Sequence, residues 1–226
     1  MRDGYFEAVL FDLDGTLVDT APDMVAVLQA MQRAYDITPV SYDLGRSFVS
    51  HGAMGLLGIG FPEVEVEPGD ELHGEFLERY AEALCDESRV FPGLDSLLDA
   101  LDAAECPWGI VTNKPENLTN PLLDGLGIAA RSACIVSGDT LPVRKPDPGP
   151  LLLACDVAGV EPHRTIYIGD AARDIEAGLR AGMATIAATY GYIIADDDPR
   201  EWGADILVPD TEELAQIVLK AVNLEP

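Results

Sequence analysis

The sequence predicts an α/β protein: a doubly wound, Rossmann-like parallel sheet interrupted by an inserted all-helical segment. Three observations carry this. Short apolar runs alternate with segments of helical spacing over most of the chain, one long stretch near the start has no strand pattern at all, and four of the apolar runs end in polar residues with chemistry in them.

The first apolar run is AVLFDLD at 8–14, read as a buried strand. Between residues 19 and 88 only helix-like patterns appear, at 22–36 and 69–84, around a Gly-rich turn at 50–61 and an acidic connector at 62–68. After it the chain alternates. Helical patterns at 94–105, 115–127, 148–159 and 172–182 separate apolar runs at 108–113, 134–138, 165–170, 184–189 and 205–208. Strand then helix, repeated, demands a parallel sheet with helices on both faces. The expected division is therefore 1–18 with 89–226 as the α/β core, and 19–88 as an inserted helical domain.

The chain has 226 residues, 48% of them hydrophobic, and its 40 acids against 14 Lys and Arg leave a net charge of −26. That apolar fraction excludes intrinsic disorder, and the length suits one large domain with an insert. A field so negative repels nucleic acid and anionic membrane surfaces, so neither is an expected partner. The insert holds 14 acids and 3 Arg, making it the more acidic part per residue. The four cysteines form no C-x-x-C pair and read as reduced core residues. The first residues resemble neither a signal peptide nor an anchor, and a cytoplasmic location is expected.

Ligands of open parallel sheets bind at the carboxyl ends of the strands, where strand order reverses. Asp12 and Asp14 end the first run and, two apart on a strand, can face one site, with Gly15 freeing the turn behind them. A calcium loop would need Gly and Glu where the chain has Leu17 and Asp23. Thr112 and Asn113 end the second run ahead of a helix, an arrangement that serves equally as an oxyanion cradle or an ordinary N-cap. Lys145, one of only three lysines, sits in a Pro-rich turn. Asp170 and Asp174 lie one helical turn apart; alone they read as cap and first-turn acid, but with Asp12 and Asp14 they complete a carboxylate cluster that needs a cation. Hard oxygen donors without His or Cys partners fit Mg²⁺ better than Zn²⁺.

Asp12-Leu13-Asp14-Gly15-Thr16, Thr112-Asn113, Lys145 and Gly169-Asp170 with Asp174 together resemble, in order, the four motifs of the haloacid dehalogenase-like superfamily of phosphatases, with a helical cap after the first. Thr112-Asn113-Lys114-Pro115, Lys145-Pro146-Asp147-Pro148 and Tyr190-Gly191-Tyr192 look like its phosphoglycolate phosphatase group, and SHGAMGLL in the cap looks like N-acetylmuramic acid 6-phosphate phosphatases. The resemblance implies Asp12 as nucleophile, Asp14 as general acid and base, and Thr112, Asn113 and Lys145 as phosphate-binding groups. It implies metal ligation by Asp12, the Asp14 backbone carbonyl and Asp170, with Asp174 behind them. Asp12 must then be ionised and Asp14 protonated, which burial and carboxylate neighbours favour. A cap without Lys argues against phosphonate cleavage, and Asp14 argues against dehalogenation. A phospho-receiver module is disfavoured by motif order and by the insert.

The expected partner is a small phosphate ester, 2-phosphoglycolate first and N-acetylmuramic acid 6-phosphate or another sugar phosphate second. Arg46, Ser50, His51, Gly52 and Lys114 are candidate contacts to its leaving group. The residues leave monomer or weak dimer open.

A small positive pocket inside a negative shell has a kinetic signature, because charges beyond about 8–10 Å are screened at physiological salt. The second-order rate constant for an anionic ester should rise with moderate salt. Activity falling steadily with added salt contradicts this.

Overall fold

The computed structural model describes residues 5–224. In chain order it forms β1 (Ala8–Phe11), β2 (Val18–Asp19), α1 (Ala21–Ala34), α2 (Tyr42–Phe48), α3 (Gly52–Gly60), α4 (Glu71–Glu82), β3 (Arg89–Val90) and α5 (Leu94–Ala103). There follow β4 (Trp108–Val111), α6 (Glu116–Gly125), β5 (Cys134–Val136), α7 (Gly149–Ala158), β6 (Thr165–Gly169), α8 (Ala172–Ala181), β7 (Ala184–Ala188), β8 (Ile206–Val208) and α9 (Thr211–Ala221). None of the described helices is long and apolar enough to cross a membrane.

Six strands make one parallel sheet in the order β5-β4-β1-β6-β7-β8. All four residues of β1 and all five of β6 are buried, as expected of strands covered on both faces. Phe11 is in register with Ile110 on one side and Ile168 on the other. The chain leaves β1 toward β4 and β5 and later returns to its other side, so the ends of β1, β4 and β6 frame the switch-point crevice.

The first strand ends at Phe11 rather than reaching Asp14. Asp12 still donates its N–H to Ile168 O (2.8 Å), and the chain then curls over Leu13–Val18. Gly15 sits at φ 85°, where a Cβ would lie 2.1 Å from Asp170 Oδ2, so both conformation and space require glycine.

Residues 20–88 contain only helices and their connectors. The Gly-rich stretch expected as a turn is a short 3₁₀ segment followed by α3. Leu56 and Leu57 are fully buried there, and the absent Cβ of Gly60 lets the helix end settle on Leu28 of α1. Packing thus overrides the low helix propensity of glycine. Cys134 and Cys155 are buried as expected, whereas Cys85 and Cys106 are only half-buried; all four are free.

The helical segment joins the core through a two-stranded antiparallel ribbon, β2 with β3, pairing Val18 with Val90 and Asp19 with Arg89. Beside it Asp23, buried in α1, accepts hydrogen bonds from Glu87 N (2.8 Å), Ser88 N (2.9 Å) and Ser88 Oγ (2.6 Å). Replacing Asp23 by Ala strands these donors, two of them on Ser88, which is fully buried. Urea unfolding of Asp23→Ala should show a loss of about 2–4 kcal/mol. A loss under about 0.5 kcal/mol would show that the clasp is not structural.

Candidate active site

Asp12 follows β1, and Asp170 and Asp174 flank the start of α8. Their carboxylate oxygens lie within 4.8 Å of one another and all three side chains are buried. Lys145 reaches them from the loop before α7. Its ammonium donates to Asp12 Oδ1 (2.7 Å), Val111 O (2.8 Å) and Tyr167 OH (2.9 Å), and stands 2.8 Å from Asp174 Oδ1. Asp174 Oδ2 accepts from Ala171 N (3.1 Å), which ties that carboxylate to the first turn of α8.

Three buried carboxylates beside the Lys145 ammonium and the nearby Arg173 guanidinium are still short of positive charge. Burial and the Asp174 carboxylate push Asp12 up to about 6, against the pull of Lys145 and Arg173. Burial, then Asp12 and Asp174, push Asp170 up to about 8. Asp170 Oδ2 accepts from Ser50 Oγ (2.7 Å) and Tyr192 N (2.7 Å), while its Oδ1 is buried with no hydrogen-bond partner. An orphaned carboxylate oxygen among other carboxylates fits a hard divalent cation, which would neutralise what the protein leaves unpaired.

Asp14 shares no partner with Asp12. Its Oδ1 accepts from Thr20 Oγ1 (2.6 Å) and from the Lys114 ammonium (3.0 Å), so its direct neighbours are a hydroxyl and a cation instead of the expected carboxylates. Thr112 is buried and its hydroxyl accepts from Lys114 N (3.1 Å). The Asn113 side chain braces the backbone of Lys145, donating to its carbonyl (3.0 Å) and accepting from its N–H (3.1 Å). Gly138 admits the Asn113 carbonyl where a Cβ would sit at 2.1 Å, so this loop packs directly against the end of β4.

The remaining candidates divide. Ser50 reaches the carboxylates through Asp170. Arg46 instead donates to Tyr190 O (3.1 Å) and Gly191 O (3.2 Å) and lies 4.8 Å from the Tyr192 ring centroid, fastening α2 to the core. His51 stacks near Phe48 (5.9 Å) and is held below the usual histidine range by burial and by Arg173. Gly52, at φ 66°, opens α3 and has open space where a Cβ would be. Lys114 is turned to Asp14 and Tyr80 OH (2.9 Å).

Arg173, Tyr80 and Tyr192 enter the site without any expectation from spacing. Arg173 donates to Ser50 O (2.8 Å). The Tyr192 hydroxyl accepts from Thr20 N (2.7 Å) and Ala21 N (3.0 Å) and donates to Asp19 (2.6 Å). The Tyr-Gly-Tyr sequence was itself a signal for the last, since aromatic hydroxyls inside a fold need partners.

Buried carboxylates beside a lysine at the switch point of a parallel sheet are a donor set suited to a hard divalent cation and to hydrolytic chemistry. The chain belongs to the haloacid dehalogenase-like hydrolase family, whose sequence pattern matches residues 9–188. It is 45% identical over 220 residues to the N-acetylmuramic acid 6-phosphate phosphatase of Pseudomonas aeruginosa, covering 96% of each chain. It is 44% identical over 207 residues to a phosphoglycolate phosphatase of Xanthomonas campestris pv. campestris, covering 92% of this chain and 94% of that one. Among solved structures, a predicted phosphoglycolate phosphatase from Haemophilus somnus 129pt superposes with a TM-score of 0.81 at 27% identity, over 96% and 98% of the two chains.

Raised carboxyl groups carry a stability sign. Asp12 and Asp170 hold protons in the folded state up to about pH 6 and about pH 8, against 3.8 unfolded, so metal-free stability should fall as pH rises through this range. Thermal melts of chelator-treated protein should show Tm declining between about pH 6 and about pH 8, with excess divalent cation cancelling most of the decline. A metal-free Tm that rises over that interval contradicts it.

Proposed function

We propose that this protein is a Mg²⁺-dependent phosphatase of the phosphoglycolate phosphatase type, hydrolysing a small phosphomonoester through an aspartyl-phosphate. The observation that carries it is the buried Asp12–Lys145–Asp174 contact with the orphaned Asp170 oxygen beside it. Asp12 is the nucleophile, its carboxylate held ready by the ammonium of Lys145. Asp12, the Asp14 carbonyl and Asp170 would hold the cation, which supplies charge neutralisation at the phosphoryl oxygens. Thr112, the Asn113 amide and Lys145 bind those oxygens. Asp14 gives a proton to the departing alkoxide and later takes one from the water that hydrolyses the acyl phosphate. Asp174 touches no reacting atom; it holds the Lys145 ammonium at 2.8 Å.

The helical segment, proposed as residues 19–88, acts as the cap that selects the leaving group. Ser50, its hydroxyl donating to Asp170 and its carbonyl accepting from Arg173, brings α2 and α3 over the carboxylates, which favours a compact substrate. A second reading, hydrolysis of N-acetylmuramic acid 6-phosphate, is favoured by the 45% identity to the Pseudomonas enzyme of that name over 96% of both chains. Action inside the cytoplasm as a monomer or weak dimer completes the proposal.

Asp12→Asn should lower turnover of any phosphate ester by at least about 10⁴-fold while leaving the circular dichroism spectrum intact; activity within tenfold of wild type sinks the assignment. A comparison of kcat/KM for 2-phosphoglycolate, N-acetylmuramic acid 6-phosphate and simple sugar phosphates separates the two readings. The first predicts 2-phosphoglycolate ahead by about tenfold or more, or about 1.4 kcal/mol in transition-state binding. The reverse order supports the second, and equally slow turnover of all contradicts both.

A further inference from the structure

Three distant parts of the chain meet at the ammonium of Lys114. Asp14 comes from the loop after β1, Lys114 from the loop after β4, and Tyr80 from α4 in the helical segment. The ammonium donates to Asp14 Oδ1 (3.0 Å) and Tyr80 OH (2.9 Å) and lies 4.5 Å from the centroid of the Tyr80 ring. Lys114 and Tyr80 are both buried. Burial alone would lower the lysine, but Asp14 and Tyr80 outweigh it and hold the group above the ordinary lysine range; burial in turn pushes Tyr80 up to about 12. A buried ammonium so paired is a fixed post.

Thr20 Oγ1 donates to the same Asp14 Oδ1 at 2.6 Å. Two donors on one oxygen fix the rotation of the carboxylate, and Asp14 Oδ2 has no hydrogen-bond partner among the described residues. The carboxylate therefore has one anchored oxygen and one open oxygen.

We propose that Lys114, seated by Tyr80 of the helical segment, is a positioning residue that anchors Asp14 Oδ1 and so presents Oδ2 to the leaving-group oxygen. The inference rests on the reading of Asp14 as general acid. As the bond from Asp12 to phosphorus forms, the bond to the leaving oxygen breaks with its electron pair, and the proton of Asp14 Oδ2 passes to that oxygen. Because Tyr80 belongs to the insert and Asp14 to the core, the acid is fully placed only when the two parts are in contact.

The test is kcat/KM at saturating Mg²⁺ for an aryl ester, p-nitrophenyl phosphate, whose leaving group needs no proton, and for two alkyl esters, 2-phosphoglycolate and the carboxylate-free glycerol 3-phosphate. Asp14→Asn should lose about 100-fold or more on both alkyl esters and under about tenfold on the aryl ester. Lys114→Met should show the same selective pattern, again about 100-fold, with KM for the alkyl esters little changed. Tyr80→Phe removes only the hydroxyl and keeps the packing; it should lose about five- to tenfold with the same selectivity. It also decides the matter if Lys114→Met does not fold. If Asp14→Asn is selective but Lys114→Met and Tyr80→Phe lose equally on all esters, the proposal fails while the role of Asp14 stands. A loss confined to 2-phosphoglycolate makes Lys114 a substrate contact and overturns the proposal. No selectivity in Asp14→Asn overturns the role of Asp14 and the proposal with it.

Discussion

The Lys145 ammonium ties three separate parts of the chain together through the carboxylates of Asp12 and Asp174. It joins the end of β1, the loop before α7 and the first turn of α8 at distances of 2.7 and 2.8 Å. Groups this deeply buried tolerate charge only in company, and removing one partner of such a set typically costs about 3–5 kcal/mol. Even with the Arg173 guanidinium nearby, the Lys145 ammonium leaves three acids short of positive charge. Burial first, and the neighbouring carboxylates next, displace Asp12 and Asp170 upward in their titration, and one Asp170 oxygen is left without a hydrogen-bond partner.

The helical segment is fitted to that same deficit. Ser50 donates to Asp170, Arg173 donates back to Ser50, and Tyr192 holds both Asp170, through its N–H, and the start of α1, through its hydroxyl. Arg46 lies over Tyr192 and binds the carbonyls of Tyr190 and Gly191. The Tyr190–Tyr192 loop therefore touches Asp170, Asp19 of β2 and Arg46 of the insert together. Bonds of 2.6–2.8 Å thus link Ser50 of the insert, Arg173, Tyr192 and Asp19 with the Asp170 carboxylate.

Much of this was legible in the sequence because strand periodicity and chain-end chemistry are local signals. The runs at 108–113, 134–138, 165–170, 184–189 and 205–208 recover β4 to β8, and Asp12, Lys145, Asp170 and Asp174 do converge. Period-two spacing implied a strand running on to Asp14, whereas the strand stops at Phe11 and the Asp14 side chain takes its bonds from Thr20 and Lys114. Glycine-rich spacing concealed α3, whose helix rests on burial of Leu56 and Leu57, a tertiary effect. α9 carries a readable signal, with Asp210 accepting from Glu213 N ahead of Leu214, Val218 and Ala221 on one face. Arg173 and Tyr80 carry none; their roles come from which helix faces meet, and one sequence does not state that. Within a net charge of −26, the cations Lys114, Lys145 and Arg173 are gathered at the site.

A divalent cation is expected to satisfy the charge deficit at Asp170. Calorimetric titration of Mg²⁺ into metal-free wild type and Asp170→Asn, alongside their metal-free melting temperatures, tests it most directly. One ion should bind per wild-type chain, that binding should be lost in the variant, and the variant's metal-free Tm should be higher, since a buried carboxylate among like charges has been removed. Undiminished Mg²⁺ binding by Asp170→Asn, or a lower metal-free Tm, contradicts it.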